Sequence, residues 1–201
     1  MVVLVIGPNG SGKSAYAENL VMRLCKTKSA AAGSVCAAYY AATMIPYGEE
    51  GAARVERHRK QRRSLGFITF EEPYRVSGMP LPPDCAVLLE DVTNLLANNL
   101  FGRKNGKNNG GYNDTVSDNE TDADLCAAVF EDITRMCAKC ASAVLVTIGG
   151  LTASDEYDAE TRKYVDGINR LNGLLTEYSD AVVSMADGEP ILMKGTFNAQ
   201  A

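Results

Sequence analysis

The sequence predicts an α/β fold, in three layers, with a mainly parallel sheet and an antiparallel C-terminal edge. Three observations lead there. Short, continuously apolar runs (Val2–Ile6, Cys85–Leu89, Ala143–Ile148) read as strands buried on both faces. Helical stripes alternate with them, as at Ala17, Leu20, Val21 and Leu24, and strand–helix alternation builds a parallel sheet covered by helices. Asp187-Gly188, a favoured hairpin dipeptide, lies between two final strand-like runs and turns the chain antiparallel.

The first strand leads directly into Gly7–Ser14 (GPNGSGKS), which meets the phosphate-loop pattern G-x-x-x-x-G-K-[S/T] at every fixed position. Gly7, Gly10 and Gly12 let successive backbone N–H groups turn inward toward an anion. The helix opening at Lys13 adds its N-terminal partial positive charge. The expected nucleotide contacts are therefore Gly7, Pro8, Asn9, Gly10, Ser11, Gly12, Lys13 and Ser14. Lys13 is placed to reach the β- and γ-phosphates, and the Ser14 hydroxyl to ligate Mg²⁺. A glycine-rich turn that binds nothing is the plain alternative. The complete pattern, set between a strand and a helix, argues against it.

The first helix is expected to end near Lys26, and Ser34–Ala42 reads as the second strand, with Thr43 at its exit. Gly51–Arg63 follows, where Arg54, Arg57, Arg59, Lys60, Arg62 and Arg63 place six cations within ten residues. His58, the single histidine of the chain, sits among them. On a helix Arg54, His58 and Arg62 would stack along one face. A solvated basic helix or a nucleic-acid patch would explain the charge run alone.

Gly66–Glu71 reads as a short strand, and the proline-rich segment to Pro83 as a loop. The Cys85–Leu89 strand ends in Glu90-Asp91, and a carboxylate there is the usual partner of a phosphate loop, holding Mg²⁺ or its water. Asp91 is also a natural cap for the helix that Val92, Leu95, Leu96 and Leu100 describe. Both roles are compatible, with Glu90 facing the metal and Asp91 at the cap. Residues 102–124, rich in Asn, Gly and Asp, read as a flexible polar loop within one domain spanning 1–201. Leu125, Val129, Ile133, Met136 and Cys140 make the next helix stripe, and a long helix covers Tyr157–Tyr178 with Tyr164, Ile168, Leu171 and Leu175 inward. Ala181–Met185 and Ile191–Lys194 form the last strand pair.

Composition limits the partners. A net charge of −5 opposes general affinity for nucleic acid or anionic membranes. No apolar stretch is long enough to span a bilayer, and the N-terminal run lacks the features of a signal peptide, so a cytoplasmic location is expected. The six cysteines are expected to be reduced. Cys137-x-x-Cys140 lacks a second pair or a nearby histidine, so no metal beyond Mg²⁺ is assigned.

Together these features resemble the bifunctional adenosylcobinamide kinase / adenosylcobinamide-phosphate guanylyltransferase family of cobalamin biosynthesis. The resemblance runs from Val3 to about Gly195. It rests on the phosphate loop, Tyr40-Ala41-Ala42-Thr43 and Arg54-x-x-x-His58-x-x-x-Arg62. It continues through Leu88-Leu89-Glu90-x-x-x-Asn94-Leu95-Leu96-Ala97-Asn98 and Tyr157-Asp158-x-Glu160-Thr161-Arg162. The phosphate loop is shared by many unrelated NTPases; the arginine–histidine segment is far more specific. The resemblance implies a P-loop NTPase (RecA-like) fold, ATP and GTP as substrates with Mg²⁺, and a homo-oligomer. It also implies His58 as the guanylyl acceptor, with Lys13 and Glu90 catalytic and Arg54, Arg62 and Thr43 binding nucleotide. Adenosylcobinamide and its phosphate would be the acceptors.

The chain departs from the family in two places. An Asn-Glu pair usually follows the Val-Thr of the penultimate core strand, whereas here Val146-Thr147 precedes Ile148-Gly149-Gly150. Pro8-Asn9 is more typical of transporter ATPases, but the Leu-Ser-Gly-Gly-Gln signature those domains need is missing. A plain small-molecule kinase leaves His58 idle, a nucleic-acid-binding ATPase predicts steep salt dependence, and a degenerate member would bind GTP for regulation only.

Overall fold

The computed structural model describes residues 1–33, 35–46, 56, 59–60, 64–102 and 122–196. Seven strands and four helices are assigned among them. In chain order these are β1 (Val2–Gly7), α1 (Lys13–Ala32), β2 (Ala38–Ala42), β3 (Ile68–Glu71), β4 (Ala86–Glu90) and α2 (Val92–Phe101). α3 (Asp122–Ala138), β5 (Ser142–Ile148), α4 (Ala159–Tyr178), β6 (Ala181–Ala186) and β7 (Glu189–Lys194) complete them.

One sheet runs β3-β2-β4-β5-β1-β6-β7, parallel throughout except for the antiparallel β6–β7 edge. This is the expected α/β architecture, a mainly parallel sheet with an antiparallel C-terminal edge. Side chains alternate between two cores, as the two-residue strand period requires. Leu4, Val87 and Leu89 point into the core shared with α2, α3 and α4, while Val3, Val5, Ala86 and Leu88 pack with Ala17, Leu20 and Val21 of α1. Burial on both faces is why β1, β4 and β5 are uninterrupted apolar runs. The hairpin turn falls on Asp187 (φ 49°) and Gly188 (φ 84°), the paired positive φ values that a tight hairpin needs.

Several boundaries differ from the sequence reading. α1 continues six residues beyond Lys26, because nothing breaks it before Gly33, whose φ of 65° ends the helix while its N–H bonds Ser29 O. β2 accordingly starts at Ala38 rather than Ser34. α4 starts at Ala159 because Asp158 is its cap, with Oδ1 accepting from Thr161 N at 2.7 Å. α3 begins at Asp122, inside the span expected to be loop, and ends at Ala138, which leaves Cys140 beyond it. The rest of the expected polar loop, 103–121, lies outside the described residues.

The proline-rich loop after β3 is pinned by a buried acid that no pattern singled out. Asp132 on α3 is fully buried and accepts from Val76 N at 2.7 Å and Ser77 N at 3.0 Å. Lys139 donates from Nζ to Ser77 O, so the loop's backbone groups are satisfied from α3 and its exit. No described helix is long and apolar enough to cross a membrane.

Candidate functional site

The parallel strands bring the phosphate loop, at the end of β1, beside the end of β4. Gly7 is sterically obligatory: a Cβ there would stand 2.6 Å from Met185 O on β6. Gly10 (φ 75°) and Gly12 (φ 82°) take the left-handed turns that bend the loop back over the helix start. Gly12 is the N-cap of α1 and supplies no side-chain acceptor, so the first-turn N–H groups have no capping side chain. A helix start of this kind suits a phosphate. Ser11 is buried, and its Oγ has no hydrogen-bond partner.

Lys13 folds over the loop, with Nζ donating to Pro8 O at 2.8 Å. Burial lowers its pKa, while the nearby charges of Glu90 and Asp91 act to raise it. Ser14, one residue into α1, donates from Oγ to Glu90 Oε1 at 2.5 Å. The other carboxylate oxygen, Oε2, is buried and has no partner. Burial pushes Glu90 up to about 7; the Ser14 bond works against this, and the charges of Asp91 and Glu18 add to it. A buried carboxylate with one free oxygen, joined to a serine hydroxyl under a helix N-terminus, is an oxygen-only donor set. Mg²⁺ takes one or two protein oxygens and completes its shell with phosphates and water, so the residues present fit that ion. Among the described residues no cluster of three His, Cys, Asp or Glu groups could hold a metal by itself.

Asp91 takes the capping role, its Oδ1 accepting from Asn94 N at 2.6 Å at the start of α2. The strand-end corner is braced from β2. Thr43, fully buried, donates from Oγ1 to Asp91 O and accepts from Asp91 N, both at 2.8 Å, and its own N–H reaches Glu90 O at 3.1 Å. Asn98 Nδ2 then donates to Thr43 O and Pro73 O at 2.8 Å each. Asn98 lies in the Leu88–Asn98 segment that carries the resemblance. Its function here is positional: it ties α2 to the exits of β2 and β3.

The departure after Thr147 has a local structural account. Gly149 N–H bonds Gly7 O at 3.1 Å, and a Cβ at Gly149 would lie 2.5 Å from Ile6 Cγ1. With Ile6 on β1, position 149 has no room for a side chain. The neighbouring polar groups are satisfied internally, Thr147 Oγ1 donating to Asn172 Oδ1 at 2.7 Å and Asn172 Nδ2 to Ile148 O at 2.8 Å. Further along, Arg162 folds onto Tyr157 O (2.7 Å) and Asp155 O (3.0 Å). The Tyr157–Arg162 motif thus builds a helix cap and a loop clamp.

The predicted residues Gly7 to Ser14, Thr43 and Glu90 come together at this edge of the sheet. His58, Arg54 and Arg62 lie outside the described residues. Of the basic stretch, Arg59 pairs through Nε with Glu71 Oε1 on β3 at 3.0 Å.

A family model described as cobinamide kinase / cobinamide phosphate guanyltransferase matches residues 3–193, nearly the whole chain. No curated protein sequence matches it. Among solved structures, a structural-study target from Pyrococcus horikoshii OT3 aligns over 98% of this chain and 87% of its own, at 12% identity and a TM-score of 0.44. That likeness carries no argument about function.

Proposed function

The chain belongs to the cobinamide kinase / cobinamide phosphate guanyltransferase family, and on that premise we propose that it performs both steps on adenosylcobinamide during cobalamin assembly. The observation that carries the kinase half is the Ser14–Glu90 bond beneath the open N-terminus of α1, with Glu90 Oε2 unpartnered.

In the kinase step ATP or GTP lies with its phosphates on the loop. The backbone N–H groups and Lys13 hold the γ-phosphoryl oxygens, and the hydroxyl of the aminopropanol arm attacks the phosphorus in line, its proton passing to water. The bond to the bridging oxygen breaks, and the nucleoside diphosphate leaves. Ser14 and Glu90 would hold Mg²⁺, which supplies charge neutralisation on the phosphates when bound. Positioning does most of the work, and well-oriented reactants gain roughly 7–11 kcal/mol of barrier.

In the guanylyl step a neutral imidazole nitrogen of His58 attacks the α-phosphorus of GTP and pyrophosphate departs. A phosphate oxygen of adenosylcobinamide phosphate then attacks the phosphoramidate, the P–N bond breaks, and the imidazole is released. Arg54 and Arg62 would pair with the triphosphate and disfavour protonation of His58, keeping it nucleophilic. Thr43 supports the site by fixing the Glu90–Asp91 corner. The working form is a homo-oligomer in the cytoplasm.

Supplying GTP, Mg²⁺ and adenosylcobinamide phosphate should yield adenosylcobinamide-GDP and pyrophosphate, and His58→Ala should abolish both products. A second reading, a kinase without guanylyl transfer, draws support from Gly149, which stands where the family usually carries a carboxylate. Under that reading the mixture yields neither product, while adenosylcobinamide is still phosphorylated.

A further inference from the structure

We infer that Cys25 and Cys36 form an oxidisable dithiol that closes into a reversible disulfide between α1 and the lead-in to β2. Their Sγ atoms stand 3.1 Å apart, about 1 Å beyond the ~2.05 Å of a covalent S–S bond. The geometry that brings them together is local and held at several points. Cys25 is buried on the inner face of α1, packed in the core with Ala17 and Val21. Beyond the helix end at Gly33, the chain returns so that Cys36 N–H donates to Ser29 Oγ at 2.9 Å. Cys36 is half-buried, and it therefore offers the more accessible sulfur.

Accessibility sets the order of events. The oxidant is a hydroperoxide, with hydrogen peroxide the simplest. The Cys36 thiolate attacks one peroxide oxygen, the O–O bond breaks, and hydroxide leaves, taking up the proton that the thiol released to become water and giving a sulfenic acid. Cys25 sulfur then attacks the Cys36 sulfur, the S–O bond breaks, and a second water leaves with the Cys25 proton. Two thiols are oxidised to one disulfide, and one hydroperoxide is reduced to water. Burial and the neighbouring Cys36 push Cys25 up to about 12, so the closing step should quicken as pH rises. A thiol reductant reverses the bond by exchange.

The position of the pair separates this chemistry from the nucleotide site. Cys25 lies twelve residues along α1 from Lys13, about 18 Å at 1.5 Å per residue. The bridge would close a short loop and restrain the unfolded chain, so oxidation should stabilise the fold and leave turnover unchanged. Cys85 is a rival partner, since its charge bears on Cys25 and that of Cys36 bears on it. It is almost fully buried, immediately before β4.

The test treats the full chain with a slight excess of hydrogen peroxide, alkylates the remaining thiols, and maps tryptic peptides by mass. Lys26 and Lys28 separate the two cysteines, so trypsin leaves them on different peptides joined only by the bridge. The expected result is a Cys25–Cys36 linked pair and four alkylated cysteines. Tm should rise by about 5 °C, reverting with dithiothreitol. Cys36→Ser should remove both the linked pair and the shift. Six alkylated thiols, Cys36 trapped as sulfinic acid, or a Cys36–Cys85 linkage in the wild-type chain would each overturn the inference.

Discussion

The Ser14 hydroxyl donates to Glu90 Oε1 at 2.5 Å, joining the start of α1 to the end of β4 across residues 76 apart in sequence. This bond holds the strand-end carboxylate against the first turn of α1 and leaves its other oxygen, Oε2, buried without a partner. Its consequences can be measured separately from those of the loop.

The first concerns pH. Burial raises Glu90 from an ordinary 4.5 to about 7, so between those values the folded chain keeps a proton that the unfolded chain has released. Stability from this group is fully present below pH 4.5 and is lost as pH rises through 7, by up to about 3 kcal/mol without a bound cation. Glu90→Gln should remove this component. Urea midpoints from pH 4 to 9 for the two proteins should diverge, with the variant the more stable above pH 7. Parallel curves would contradict the burial of that carboxyl.

The second concerns the loop lysine. Lys13→Ala removes a charge expected to strengthen its contact as the γ-phosphoryl group is transferred. Adenosylcobinamide phosphorylation should fall about 10²–10³-fold in kcat, the size typical for one lost transition-state donor. The variant's thermal stability should stay close to wild type, and full activity would mean that Lys13 is not part of the machinery.

The third concerns Gly149. An alanine Cβ would stand 2.5 Å from Ile6 Cγ1 and should cost about 1–3 kcal/mol by overpacking. Ile6→Ala in the same chain should recover most of that loss. Additive effects in the double-mutant cycle would show that the two positions do not share this space.

The fourth concerns Asp132. Asp132→Ala strands Val76 N and Ser77 N in the interior and should destabilise the fold by about 2–4 kcal/mol. Asp132→Asn keeps one acceptor oxygen and should recover part of this. Adenosylcobinamide phosphorylation by the folded protein should not change for either variant, as read by denaturant titration beside initial rates.

What could be read from the sequence was local. The phosphate-loop turn, the buried strands and the capping role of Asp91 all follow from residues adjacent in the chain, and each is found where the motifs put it. α1 runs past the end that its sequence suggests, because polar residues such as Lys26 and Lys28 mark a change of exposure, whereas Gly33 marks the actual stop. Thr43 and Asn98 brace the corner through bonds to residues 48 to 55 positions away, and Asp132 pins a loop 55 or 56 positions away. Neither kind of contact leaves a periodic trace in the chain. The steric conflict of Ile6 with position 149 is likewise a product of β1–β5 pairing.

The most direct test of the enzyme proposed above is to incubate the chain with Mg²⁺ and GTP labelled at the α-phosphate, then denature and separate it. The account predicts one protein-bound label, stable in alkali and lost in acid, present in wild type and absent from His58→Ala. Label that persists in His58→Ala, or no label in a wild-type protein that still phosphorylates adenosylcobinamide, would contradict guanylyl transfer through this histidine.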